Sequence, residues 1–180
     1  RVAGTQVEVD AFQQHIDGDK LLGAGAQERG VIADPDGYAW VGGHLAPNLG
    51  VVELTIAMHY VFDFASDRLL FDVGHQCYPH KLLTGRLGLL SKLRTRVGMS
   101  GFPEPRESPY DLFSVGHAGT AISTAVGMAR GDELNGQGHR KTVAIIGDAS
   151  IVNGVALEGL NNAGTLKRQF LVVLNDNGMS

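Results

Sequence analysis

Two stretches decide the fold: Val143-Ala144-Ile145-Ile146-Gly147-Asp148-Ala149-Ser150 and, further on, Leu171-Val172-Val173-Leu174-Asn175-Asp176-Asn177-Gly178-Met179-Ser180. Each opens as an uninterrupted apolar run, the pattern of a strand buried on both faces. Each stops abruptly at oxygen-bearing side chains. The segment Val155 to Ala163 between them is long enough for a crossover helix. Strand, helix, strand implies a parallel pair. Asp148 and Asn177 therefore leave the sheet at the same carboxyl edge, where open α/β sheets bind ligands. A carboxylate and an amide oxygen are hard ligands, suited to Mg²⁺ or Ca²⁺ rather than zinc. Read alone, these residues suit equally a helix N-cap at Asp148 and a polar turn at Asn175-Asp176-Asn177.

Outward from this pair, further apolar runs lie at Leu69–Val73 and Leu112–Val115, separated by helical stretches. The order predicts an α/β fold, a mostly parallel sheet flanked by helices. Val51 to Phe64 reads as a helix, with Asn48 as its cap. Leu82 to Leu93 reads as a helix interrupted near Gly85 and Gly88. Helical sequence also runs from Thr120 to about Leu134. Residues 97–110 hold three prolines and form a loop. Residues 1–41 lack a sustained period and read as a divergent or loosely ordered segment, with Asp34-Pro35-Asp36-Gly37 a turn and Trp40 its anchor. Residues 42–180 read as one partial domain.

The chain is 180 residues long, enough for a real core. A net charge of -4 argues against a nucleic-acid footprint, and no apolar run approaches a membrane span. The single cysteine, Cys77, forms no internal disulfide, which fits a reducing, cytoplasmic setting. The chain opens on Arg1 and stops at Ser180, shortly after an expected strand. It reads as a piece of a longer protein. Such a piece is expected to associate with itself through surface meant for other elements.

Three Gly-His pairs precede Asp148: Gly43-His44, Gly74-His75 and Gly116-His117. The last two follow strand-like runs, so a parallel sheet delivers them to the same edge. Glycine lets the backbone approach a bulky ligand, and histidine offers a hydrogen bond. A fourth pair, Gly138-His139, lies in a polar turn and reads as incidental. Zinc spacings, a Gly-x-Ser-x-Gly elbow, a Walker loop and Gly-x-Gly-x-x-Gly are all absent. A hard metal with glycine loops suits a diphosphate, with helix starts after Ser150 and Ala118 able to supply amides.

Gly147-Asp148-Ala149 followed by Asn177 resembles the thiamine diphosphate motif Gly-Asp-Gly…Asn. The runs Gly43-His44 to Leu54, Asp72 to Lys81, Ser114 to His117, Asn161 to Gly164 and Leu174 to Ser180 resemble the 1-deoxy-D-xylulose-5-phosphate synthase family over about Gly42 to Ser180. The resemblance implies the thiamine diphosphate-binding fold, with thiamine diphosphate and Mg²⁺ as cofactors. It implies Asp148, the Asn177 side chain and the Met179 carbonyl as Mg²⁺ ligands. His75 would contact the diphosphate. Gly116, His117 and Ala118 would line the cofactor pocket, Ala149 and Ser150 would add backbone contacts, and His44 would assist proton transfer at the substrate. The implied reaction decarboxylates pyruvate and joins the two-carbon unit to D-glyceraldehyde 3-phosphate, feeding isoprenoid and thiamine synthesis, in a homodimeric parent. Ala149 departs from the family glycine. The family's cofactor-activating domain is missing from this stretch, so the 180 residues alone are expected to be inactive. Two alternatives stand beside this: transketolase-type ketol transfer, and a non-catalytic fragment that binds Mg²⁺ and a diphosphate.

Overall fold

The computed structural model describes residues 31–33 and 40–176. The ends of the expected metal site, Asn177 and Met179, lie outside the described residues. So does most of the N-terminal segment, including its expected turn. The described chain divides into two compact units. One comprises the residues up to Tyr60 together with His75–Gly101; the other comprises Val61–Gly74 and the residues from Phe102 onward.

In the first unit, strands β1 (Val31–Ala33) and β2 (Trp40–Gly42) pair antiparallel. Helix α1 (Leu45–Leu49) leads into α2 (Val52–Val61), and α3 (Tyr78–Lys81) follows later in the chain. A wide turn over Leu82–Arg86 and a 3₁₀ turn over Leu87–Lys92 replace the expected helix. The break falls at Thr84-Gly85, where Gly85 takes φ +90°. Gly88 sits inside the 3₁₀ turn and breaks nothing. Val51, Met58, Tyr78, Leu82, Leu93 and Met99 are buried here.

The second unit carries the parallel sheet, in the order β3 (Arg68–Phe71), β4 (Thr142–Gly147), β5 (Phe170–Asn175). Central β4 is apolar from Val143 to Ile146 and buried from Thr142 to Ile146, as an uninterrupted run in a covered sheet should be. Helix α4 (Ala121–Leu134) packs on β3 and β4, α5 (Asp148–Ile151) starts at the end of β4, and α6 (Gly154–Ala163) lies beside α4. Leu70, Ile122, Ala125, Ala144, Ile146 and Ala156 form the shared core. Asn153 caps α6, its side chain accepting the Val155 N–H at 2.9 Å. At the amino edge, Arg68 forks onto Asp132 through two hydrogen bonds of 2.9 and 3.0 Å, and Arg140 adds a third.

The run Leu112–Val115 corrects the expected strand: among the described residues it pairs with none. Side chains hold it instead of a ladder. Asp111 is buried and accepts the Glu104 N–H, Leu112 packs against the core, and Phe113 faces outward.

Candidate functional site

The strand register places the polar chain exits side by side. Gly147 pairs with Asn175, so Asp148 and Asp176 leave adjacent strands at the same edge. β3 ends two rungs lower, Phe71 pairing with Ile145 and Asp72 donating its N–H to the Ile145 carbonyl at 2.8 Å. Asp72-Val73-Gly74 then turns sharply, the Gly74 N–H reaching back to the Asp72 carbonyl. Val73 sits at φ +58°, an uncommon conformation for a β-branched residue, so this corner stores backbone strain at the sheet's carboxyl edge.

The Asp72 side chain organises the next piece. It is buried, and its carboxylate accepts the N–H of Gly119 at 2.9 Å and of Ala121 at 3.0 Å. Asp72 thereby caps α4 from a different strand, where the helix dipole favours a negative charge. These two amides point inward to Asp72, which corrects the expectation that they would be offered to phosphate oxygens. The loop before them is fixed at both ends. A Cβ on Gly74 would lie 2.5 Å from Val115, and one on Gly119, at φ +86°, would lie 2.7 Å from Asn153 Cγ. Only glycine fits Gly119. Its closeness to Asn153 ties the end of the Gly116-His117-Ala118 loop to the start of α6.

Gly116 and His117 line an open cleft of about 370 Å³ with Phe113, Ser114, Val115, Thr120 and Thr124. Gly116, His117 and Ala118 are exposed. A Cβ on Gly116 or Gly147 would meet nothing within 4 Å, so there is room above both. Asp148 opens α5 and is partly exposed, Ala149 is exposed and Ser150 is buried. Ala149 is helical, and Val73 and Arg94 are the positive-φ residues other than glycine among those described. Alanine in place of the family glycine therefore costs no left-handed strain.

His44 and His75 meet in the first unit, their rings 5.2 Å apart and nearly edge-on at 69°. Burial, and then the charge of Arg94, holds the His44 ring below its ordinary value, so it stands neutral at pH 7. Sequence reasoning placed Asn48 as a helix cap, and the structure corrects this. Asn48 lies inside α1, fully buried, and its side chain reaches both histidine loops. Asp72 and Asn48 were both missed as organising residues, since their partners lie far along the chain.

The donor set suits a hard cation and a diphosphate: an oxygen-bearing carboxylate at an open strand end, glycine-lined room, and histidines within reach of their own unit's loops. Among the described residues no three His, Cys, Asp or Glu side chains converge as a metal cluster, and two of the expected ligands lie outside them.

Residues 26–180 match the family model described as 1-deoxy-D-xylulose-5-phosphate synthase, a span that begins ahead of the first motif at Gly42. Proteins named 1-deoxy-D-xylulose-5-phosphate synthase resemble the chain closely. The one from Carboxydothermus hydrogenoformans is 55% identical over 139 residues, covering 77% of this chain and 22% of the relative. Those from Thioalkalivibrio sulfidiphilus and Rhodobacter capsulatus are each 58% identical over the same share of both chains. The chain thus spans about a fifth of the length of the curated relatives it matches. A parallel α/β sheet that ends at Asp148, carried on a sequence matched across most of its length, establishes that the chain belongs to the 1-deoxy-D-xylulose-5-phosphate synthase family.

Proposed function

We propose that this chain forms the diphosphate- and Mg²⁺-holding part of an enzyme that decarboxylates pyruvate and joins the remaining two carbons to D-glyceraldehyde 3-phosphate. The observation that supports this is the close fit of Gly119, just after the Gly116–Ala118 loop, against Asn153, five residues after Asp148 leaves the sheet, in a chain of this family. Asp148 would hold Mg²⁺ with the Asn177 side chain and the Met179 carbonyl. His75 would contact the diphosphate. Gly116, His117 and Ala118 would wall the cofactor pocket, and the Ala149-Ser150 backbone would contact it. Thiamine diphosphate, when bound, supplies the electron sink that lets a 2-oxo acid lose carbon dioxide.

His44 carries the protein's own proton chemistry in this reading. A ring held neutral at pH 7 can accept a proton from a substrate hydroxyl and return it. The enzyme would be a cytoplasmic homodimer. Because the chain covers about a fifth of its relatives, the 180 residues alone would not turn over.

The full-length gene product, given pyruvate, D-glyceraldehyde 3-phosphate, thiamine diphosphate and Mg²⁺, should release carbon dioxide and form 1-deoxy-D-xylulose 5-phosphate. Asp148→Ala should lower turnover at least about 100-fold, since a metal-held diphosphate positions every later step. Use of ketose phosphates as donors in place of pyruvate would assign transketolase-type chemistry and end this reading.

A further inference from the structure

Asn48 uses its whole side chain to join two loops, one bearing His44 four residues before it and the other bearing His75 27 residues after it. Its Nδ2 donates to the His44 carbonyl at 2.6 Å and to the His75 carbonyl at 2.7 Å. Its Oδ1 accepts the Tyr78 N–H at 2.8 Å, at the start of α3. The side chain is fully buried, so water does not compete for these bonds. Two more links close the arrangement. The His44 N–H donates to the Tyr78 hydroxyl at 3.1 Å, and Gln76 Nε2 donates to the Pro47 carbonyl at 3.3 Å.

Shape reinforces the bonds. Tyr78 is fully buried, and burial chiefly raises its phenol above the ordinary value, so it stays neutral and able to accept. A Cβ on Gly43 would lie 2.8 Å from Leu93 and 3.2 Å from the Tyr78 hydroxyl, so the loop before His44 is pressed onto the same tyrosine. An amide is the one side chain of this size that donates twice and accepts once from the same end. Aspartate has the same shape but would set a carboxylate against two carbonyl oxygens.

We propose that Asn48 is a positioning residue that sets the separation of His44 and His75, acting through the two carbonyls it holds. The inference rests on the proposed function for its catalytic meaning, and on the hydrogen bonds alone for its structural one. The side-chain hydrogen bonds of Asn48 go to backbone groups of these loops. Its effect on catalysis comes from where it fixes their backbones, and small misplacements of reacting groups are costly.

The test compares wild type, Asn48→Asp and a control, Thr55→Ala, in the full-length gene product. Thr55 is also fully buried in this unit, with its hydroxyl bonded to the Val51 carbonyl and no link to either histidine loop. Diethyl pyrocarbonate labelling of the cofactor-free protein, read residue by residue by mass spectrometry, reports the loops directly. Exposed His139 serves as the internal reference. Asn48→Asp should label several-fold faster at His75 and His44, with His139 unchanged, and lower kcat about 10- to 100-fold while KM for pyruvate moves less. Thr55→Ala should keep wild-type labelling and kcat even where its melting temperature falls as far.

Wild-type labelling and kcat in Asn48→Asp would overturn the proposal, as would equal losses in Thr55→Ala. If Asn48→Asp does not fold, Tyr78→Phe removes only the acceptor for the His44 N–H. It should raise labelling at His44 about two- to threefold on the same argument; unchanged labelling there would also overturn it. If wild type lacks pyruvate turnover, the functional reading fails, and the labelling still decides whether Asn48 holds the loops.

Discussion

His59 on α2 and His80 on α3 lie with ring centroids 5.1 Å apart, His59 Nε2 3.0 Å from His80 Nδ1. One ring donates and the other accepts, so the pair needs both rings neutral or a charge shared between them. Burial, and then the neighbouring His80, lowers His59 to about 4. The unfolded chain would titrate near 6.5, so between about 6.5 and 4 it binds more protons than the folded one. Stability from this group is fully present above pH 6.5 and is lost as pH falls towards 4. We predict that urea unfolding of wild type weakens across that window and that His59→Asn flattens the difference. The effect should be on the order of 1–2 kcal/mol, discounted because the ring is partly exposed. Parallel curves for the two proteins from pH 7 to pH 4 would contradict it.

At the scale of elements, glycines on facing helices make opposite predictions. On α4, Gly127 is exposed and a Cβ there meets nothing within 4 Å. On α6, a Cβ at Gly159 would lie 2.8 Å from Ser123 Oγ and 3.1 Å from the Ser123 backbone nitrogen. The close approach of α4 and α6 therefore depends on Gly159. Gly127→Ala should stabilise by about 0.5–1 kcal/mol through helix propensity. Gly159→Ala should destabilise by about 1 kcal/mol or more through overpacking, despite the same propensity gain. Chemical denaturation of both variants checks the pair, and two changes of the same sign would refute the packing argument. The elements themselves were readable unevenly. β4 follows from local pattern, because a run covered on both faces must be apolar at every position; β5 has the same pattern, but the expectation that it too is covered on both faces is corrected, since Leu171 and Leu174 are exposed. Leu112–Val115 has a similar pattern and is no strand, because apolarity reports burial and not pairing. The capping of α4 by Asp72 and the joining of loops by Asn48 were not readable. The Asp72 bonds span 47 and 49 residues and the long Asn48 bonds 27 and 30, and no local spacing encodes such partners.

Over the whole molecule, the sheet does one thing the separate motifs cannot. Its parallel order turns three chain exits, at Asp72, Asp148 and Asn175, toward one edge. The Gly-His loop at 116 was expected there by following a strand. It arrives instead through Asp72 and through the close fit of Gly119 against Asn153. The chain as a whole carries a net charge of -4, which repels a diphosphate. A divalent cation held at Asp148, as proposed, would offset that repulsion, so binding of the diphosphate should require the metal. The direct measurement is calorimetric titration of thiamine diphosphate into the full-length gene product, with and without Mg²⁺, for wild type and Asp148→Ala. The account predicts Mg²⁺-dependent binding in wild type and a loss of at least about tenfold in affinity in the variant, in line with the removal of a metal-site group. Equal affinity in the two proteins, or binding in wild type that ignores Mg²⁺, would contradict it.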